Sequence, residues 1–260
     1  MSSKTQERTE RFDLNQVKVS GVIQRLWSRG ADILLRLAVA GRSAEHADQF
    51  TLVIPGGGLD RLSPTLMKAD RISVVGHIQD FPYLETGLQF AERSRSAEKL
   101  LSAIPSLGEI VSERMATWVV VHSLEAEAGP ANEVILDGIV SRVWNRREQL
   151  FARLAIYDPY TEVIEKTGKN NRLRRQAHYA SVHFLDGIVQ SRSVKLAQKD
   201  RLRVRGVLSE RRYSESLAMF LMRTQKIGLL ANAADADELR EIRVPRAATY
   251  VVADSLIQFG

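Results

Sequence analysis

The stretch GVIQRLW, Gly21 to Trp27, returns 117 residues later as GIVSRVW, Gly138 to Trp144. Each copy runs glycine, two β-branched residues, a polar residue, arginine, an aliphatic residue and tryptophan. The match extends without a gap from Asn15–Val39 onto Asn132–Ile156, with nine identities in 25 positions, Arg25/Arg142, Trp27/Trp144 and Arg29/Arg146 among them. Further on, DRISVVGHI (70–78) lies on DRLRVRGVL (200–208) at an offset of 130, with Tyr83/Tyr213, Glu85/Glu215, Phe90/Phe220 and Arg93/Arg223 following. A third block, TWVVVHSL (117–124) on TYVVADSL (249–256), comes at an offset of 132. Three collinear blocks predict an internal duplication of a unit of roughly 110 residues. The chain then divides into a polar extension (1–14), a first unit (15–125), a linker (126–131) and a second unit (132–260).

The unit reads as five strands. VKVSGVIQRLW, ADILLRLAVA, QFTLVIP, RISVVGHIQ and TWVVVHSL are apolar-alternating or β-branched runs separated by turn or polar residues. Between the third and fourth, Leu59, Leu62, Leu66 and Met67 recur at helical spacing. Three strands, a short helix and two strands, with a glycine bending the first and fourth, is the order of an OB-fold barrel. The predicted fold class is all-β: two tandem five-stranded OB-fold barrels with short helices. A plain β-sandwich is the alternative, but it does not usually place its one helix there. The growth of the offset from 117 to 130 locates a 13-residue insertion between strands two and three of the second unit, read as a long loop, YDPYTEVIEKTGKNNRLRRQAH. The connection before the fifth strand reads as helix-containing in both copies, broken in the first by Pro105 and Gly108.

Within strand one, Val17, Val19 and Ile23 share a parity that Leu26 breaks, so a bulge is expected near Gln24–Arg25. Leu26 then faces inward while Arg25 and Trp27 face outward, and Arg142 and Trp144 do the same around Val143. The residues alone leave two places for the tryptophans. One is the outer face, where stacking of a base on an indole is worth about 1–3 kcal/mol; the other is a plug in the barrel end.

With 44% apolar and 26% charged residues the chain is ordinary globular material. It has no cysteine, which excludes disulfides and thiolate metal sites. No apolar run reaches the eighteen or so residues of a membrane span, and MSSKTQERTERFD is a polar start unlike a secretory signal. The net charge of +6 is unevenly held. Residues 1–129 carry 15 Lys/Arg against 16 Asp/Glu, and residues 130–260 carry 22 against 15. Such asymmetry points to nucleic acid or membrane contact for the second half. There, Arg201, Arg203 and Arg205 alternate along strand four and share one face, while the first unit has Arg71, Ser73 and Val75, a face suited to protein contact. The long loop adds Lys166, Lys169, Arg172, Arg174 and Arg175, residues able to hold phosphates.

Enzyme motifs fail on inspection. IPGGGL lacks the Lys-Ser/Thr of a phosphate loop, and TGK at 167–169 has Val163 where the first glycine belongs. His178 and His183 are five apart on a strand and cannot share a metal. No catalytic centre, metal or cofactor is expected.

FTLVIPGGGLDRLSPTLMKADRISVVGHIQDF resembles the third strand, helix and fourth strand of the bacterial single-stranded DNA-binding proteins. TYVVADSLIQF resembles their last strand, and both copies open with their glycine-bent first strand. The resemblance implies sequence-independent binding and protection of single-stranded DNA in replication, recombination or repair, in the cytoplasm at the nucleoid. It also implies a homodimer presenting four OB folds. It selects the outer face for the tryptophans. Tyr83 and Tyr213, just past strand four, match positions where the family stacks bases; Tyr160 and Tyr179 match two more in the second unit, where the first has Ser43 and Gln49 nearby. The candidate DNA contacts are thus Arg25, Trp27 and Tyr83 in the first unit. In the second they are Arg142, Trp144, Arg146, Tyr160, Lys166, Lys169, Arg172, Arg174, Arg175, Tyr179, Arg203, Arg205, Arg211, Arg212 and Tyr213. The family's acidic C-terminal tail has no counterpart, since the sequence stops at IQFG, so recruitment of replication proteins by such a tail is not expected. The alternative function is an OB-fold structural or adaptor protein of a primosome or DNA-transfer complex, binding mainly protein.

Overall fold

The computed structural model describes residues 13–41, 47–56, 66–126, 129–146, 148–159, 162–167, 170–175, 177–185, 195–231, 233 and 235–259. Their strands are β1 (Asn15–Arg29), β2 (Asp32–Ala40), β3 (Ala47–Ile54), β4 (Arg71–Thr86), β5 (Val111–Ala126) and β6 (Asn132–Arg146), followed by β7 (Gln149–Ile156), β8 (Glu162–Thr167), β9 (Asn170–Arg175), β10 (His178–Phe184), β11 (Arg201–Ser216) and β12 (Arg243–Phe259). The helices are α1 (Gly87–Glu92), α2 (Ala97–Ala103), a 3-10 turn (Pro105–Glu109), α3 (Leu217–Arg223), α4 (Gly228–Ala231) and α5 (Ala236–Glu241).

Two five-stranded barrels close. In the first, β1 pairs with β2 and β4, β2 with β3, β3 in parallel with β5, and β5 with β4. In the second, β6 pairs with β7 and β11, β7 with β10, β10 in parallel with β12, and β12 with β11. This is the OB topology, once per copy. The alternation expected from the sequence is met: Val17, Val19, Ile23, Ile72, Val74 and Ile78 line the first interior, and Val134, Leu136, Val140, Leu202, Val204 and Leu208 the second. Closure requires glycine where β4 crosses β5. A Cβ on Gly76 would stand 2.1 Å from the Val120 carbonyl oxygen, and one on Gly206 would stand 2.0 Å from that of Val252.

The barrels share an antiparallel β1–β6 seam in which Val17 faces Val134, Asn15 faces Leu136 and Val19 faces Asn132. Val17 therefore meets its own repeat counterpart, and the pairing has a local two-fold character. Each copy also uses its asparagine alike. The Asn15 side chain brackets Ile78, donating to its carbonyl and accepting from its N–H at 2.9 Å each. Asn132 brackets Leu208 at 2.9 and 2.8 Å.

The chain divides into two compact units, and both repeats contribute to both. One comprises residues 1–79, 119–208 and 251–260; the other comprises 80–118 and 209–250. The first holds the two barrels. In the second, Phe90, Leu100, Ile104 and Leu107 of one repeat pack with Phe220, Leu221, Leu230 and Leu239 of the other, and the Phe90 and Phe220 rings lie 4.7 Å apart. Helix α1 starts on a capping box, Thr86 Oγ1 accepting from Gln89 N–H while the Gln89 side chain accepts from Thr86 N–H. Helix α3 starts on Ser216, which accepts from Met219 N–H.

Beneath those helices lies a buried ion cluster made twice over. Glu85 and Glu215 are fully buried. Arg114 donates to Glu85 at 2.9 Å and to Glu215 at 3.1 and 2.8 Å. Its counterpart Arg246 donates to Glu85 at 2.6 and 2.9 Å and to Glu215 at 2.9 Å. The half-exposed Arg93 and Arg223 add one bond each, at 2.7 and 3.1 Å. Burial pushes the Glu85 carboxyl up, but the hydrogen bonds and charge of Arg246, then the charges of Arg114 and Arg93, outweigh it and hold the group below its ordinary value.

Three expectations are corrected. The insertion read as a loop is the β8–β9 hairpin. Strand four does not stop before Tyr83 or Tyr213; β4 and β11 run on through both. Of the expected helix between the third and fourth strands, Leu59 and Leu62 lie outside the described residues, while Leu66 and Met67 belong to no helix.

Candidate nucleic-acid interface

The expected bulge occurs twice at one place. In β1 the register shifts between Ile23 and Arg25, and in β6 between Val140 and Arg142. The extra residue carries the chain from core-facing Ile23 and Val140 to exposed Arg25 and Arg142, with Trp27 and Trp144 half-buried two residues on. Neither tryptophan belongs to the barrel core. The Arg25 guanidinium lies 5.4 Å from the Trp27 ring centre, and that of Arg142 lies 5.8 Å from Trp144. Each Arg-x-Trp is thus a preassembled cation–π pair.

The sheet face beside the two pairs differs between barrels, and it is covered in both: Phe151 and His183 are 6% and 9% exposed, Leu34 and Val53 2% and 3%. Trp144 stands opposite Phe151 on β7, which stands opposite His183 on β10. Their rings form a run: Trp144 and Phe151 lie 5.6 Å apart at 10°, and Phe151 and His183 lie 4.7 Å apart at 17°. In the first barrel the same register gives Trp27, Leu34 and Val53. The contrast continues one step along the strands. Arg153 lies 4.6 Å over the Tyr179 ring, whereas Arg36 donates to Gln49 at 3.3 Å and to Thr51 at 3.0 Å. Stacked rings back the tryptophan in one barrel, and aliphatic and amide groups back it in the other.

The remaining candidates are scattered. Arg146 and Arg205 are exposed. Arg203 is held in a two-pronged pair with Asp137, both bonds at 2.7 Å, and the hydrogen bond and charge of Asp137 raise its pKa. Arg201 is paired with Asp13. The face that alternation marks as three guanidiniums is therefore two ion pairs plus Arg205, because the opposing carboxylates come from distant positions that alternation cannot reveal. Tyr83 and Tyr213 lie in the helical unit rather than the barrel unit. Tyr213 is exposed, its pKa raised by partial burial and then by the Glu215 charge. Arg211 is half-buried, and Arg212 is paired with Glu210 at 3.0 Å.

Tyr160 and Lys169 lie outside the described residues. Lys166, Arg172, Arg174 and Arg175 lie on the β8–β9 hairpin, where the register sets Glu162 opposite Arg175, Glu165 opposite Arg172 and Lys166 opposite Asn171.

Two arrangements escape the sequence reading. One is the ion cluster, although Glu85/Glu215 and Arg93/Arg223 fall within the second matched block; extending the third block back three residues adds Arg114/Arg246. The other is a trio of imidazoles. His77 Nδ1 and His122 Nε2 are 2.7 Å apart, and the His178 ring centre is 5.6 Å from that of His77. Burial, then repulsion from His122 and His178, pushes the His77 pKa down to about 3. Among the described residues no group of histidines and carboxylates is arranged to hold a metal ion.

No protein-family model matches the sequence, and no curated protein does. Two solved structures share the architecture along nearly the whole chain. The wild-type single-stranded DNA-binding protein from Thermus aquaticus has a TM-score of 0.52 at 16% identity, covering 96% of this chain and 95% of that one. A deletion mutant of the same protein has a TM-score of 0.52 at 17% identity, covering 96% of each. At these identities the likeness is one of fold: this chain shares the architecture of a single-stranded DNA-binding protein.

Proposed function

We propose that this chain binds single-stranded DNA without regard to sequence, along the outer faces of both barrels and more strongly on the second. The observation that carries the reading is the Arg-x-Trp pair, set by the same bulge in both barrels with the guanidinium over the indole each time. An outward indole offers a stacking face that suits any base, and the arginine beside it supplies charge for the phosphate. The basic excess of residues 130–260 favours that barrel, where the buried Phe151 and His183 rings back the half-buried Trp144 indole. The fold shared with the Thermus aquaticus proteins supports the same reading. The protein acts as a binding protein and not as an enzyme. Its place is in replication, recombination or repair, in the cytoplasm at the nucleoid. Tryptophan fluorescence on titration with oligo(dT) tests the reading.

In the same proposal the working form is a homodimer with four barrels. Val75, 38% exposed on the outer face of β4, and the exposed Met115 and Met222 offer apolar surface to a second copy. Light scattering is expected to give the mass of two chains, and the mass of one would overturn the dimer. The same exposed side chains, with Leu84 at 64%, favour the second reading, an adaptor that binds mainly protein. The oligo(dT) titration separates the two.

A further inference from the structure

We infer that Phe81 and Trp118 form an additional base-stacking step for single-stranded DNA, outside the barrels. Their ring centres are 4.6 Å apart at 28°. Both side chains are half-exposed, and neither belongs to the barrel core or the helical core. The two therefore form a half-exposed ring pair within the helical unit, Phe81 in the second half of β4 and Trp118 in the middle of β5. Thr117 Oγ1 donates to the Asp80 carboxylate at 2.8 Å and ties the flanking positions of the two strands together. Along β4, Phe81 and Tyr83 share one strand face, about 7 Å apart at two residues of strand rise. That spacing suits successive bases of an extended strand, each of which presents a π-face to any aromatic ring.

The duplication supplies an internal control. The counterparts of Phe81 and Trp118 are Arg211 and Tyr250, at offsets of 130 and 132. The second repeat builds the same pair of strands without two stacked rings, so the fold does not demand them. The first repeat thus carries a half-exposed ring pair in the copy whose barrel lacks the Trp144–Phe151–His183 run.

The inference rests on the proposed binding of single-stranded DNA, and the chain's three tryptophans make the two separable. In the variant Trp27→Phe/Trp144→Phe, Trp118 is the only indole. Binding of dye-labelled oligo(dT) is followed by anisotropy while Trp118 emission is read at saturation. Quenching of Trp118 is the expected result; unchanged emission from a saturated complex overturns the inference and leaves the wider reading standing. If neither this variant nor the native chain raises the anisotropy, the wider reading fails and this one with it. Should the double variant alone lose binding, Trp118→Leu in the otherwise native chain decides. Its affinity is expected to fall about five- to hundredfold, the range for loss of one stacked base, with no change in salt dependence. Native affinity in Trp118→Leu would overturn the assignment.

Discussion

The substitution Glu85→Gln removes one of the two anions shared by four guanidiniums. Glu85 accepts hydrogen bonds from Arg93, Arg114 and Arg246, and the last two donors are themselves buried, with side-chain exposures of 7% and 6%. Without Glu85 both lean on Glu215 alone, and one positive charge is left buried without compensation. Breaking a buried ion pair from one side costs roughly 3–5 kcal/mol, because the stranded charge cannot be resolvated. Arg93→Ala removes a partner that is 47% exposed and should cost under about 1 kcal/mol. Urea unfolding followed by far-ultraviolet circular dichroism measures both. The sign of the pH dependence follows from the depressed Glu85 pKa. A carboxyl held low when folded contributes stability above its unfolded pKa, and that stability is lost as the pH falls through the folded value. Native protein should therefore weaken below about pH 4.3, the ordinary Glu value, and Glu85→Gln should lack that component. A Glu85→Gln cost no greater than that of Arg93→Ala would refute the argument.

His77 has a folded pKa near 3, below its ordinary value, so the unfolded chain takes up the proton first. Stability should thus fall as the pH drops from about 6.5 towards 3, by up to about 1.4 kcal/mol per pH unit, and His77→Gln should flatten that slope in acid titrations of the folded protein. Neutralising Lys166, Lys169, Arg172, Arg174 and Arg175 together should flatten the log affinity against log salt line for oligo(dT) by up to roughly 3.5 units, at about 0.7 per phosphate contact. Trp144→Ala should instead lower affinity by about 1–3 kcal/mol and leave the salt line nearly unchanged. A full salt slope in the five-residue variant would mark the hairpin as a bystander.

The barrels were legible because their signals are local. The parity of Val17, Val19 and Ile23, the slip before Leu26 and the glycines at 76 and 206 are all written within single strands. The duplication made each signal visible twice, and it located the insertion that folds as β8–β9. Long-range pairing was not legible. Nothing near Arg203 in the sequence announces Asp137, 66 residues away, and alternation alone made a paired arginine look like a free one. The second compact unit was hidden for the same reason. Its helices are short, α1 being marked only by the capping box Thr86–Gln89, and its core forms only when both repeats supply half. That shared core also decides how the barrels should be compared. Cutting the chain at the linker would divide it, so point substitutions such as Trp27→Ala against Trp144→Ala are the sound comparison.

Direct titration of the native chain with oligo(dT) at low salt, with tryptophan emission and the anisotropy of a labelled strand read together, tests the central claim. Saturable quenching that tracks the rise in anisotropy, and weakens as salt is added, is the predicted result. An unchanged emission with no rise in anisotropy at micromolar protein would contradict single-stranded DNA binding and leave the adaptor reading in its place.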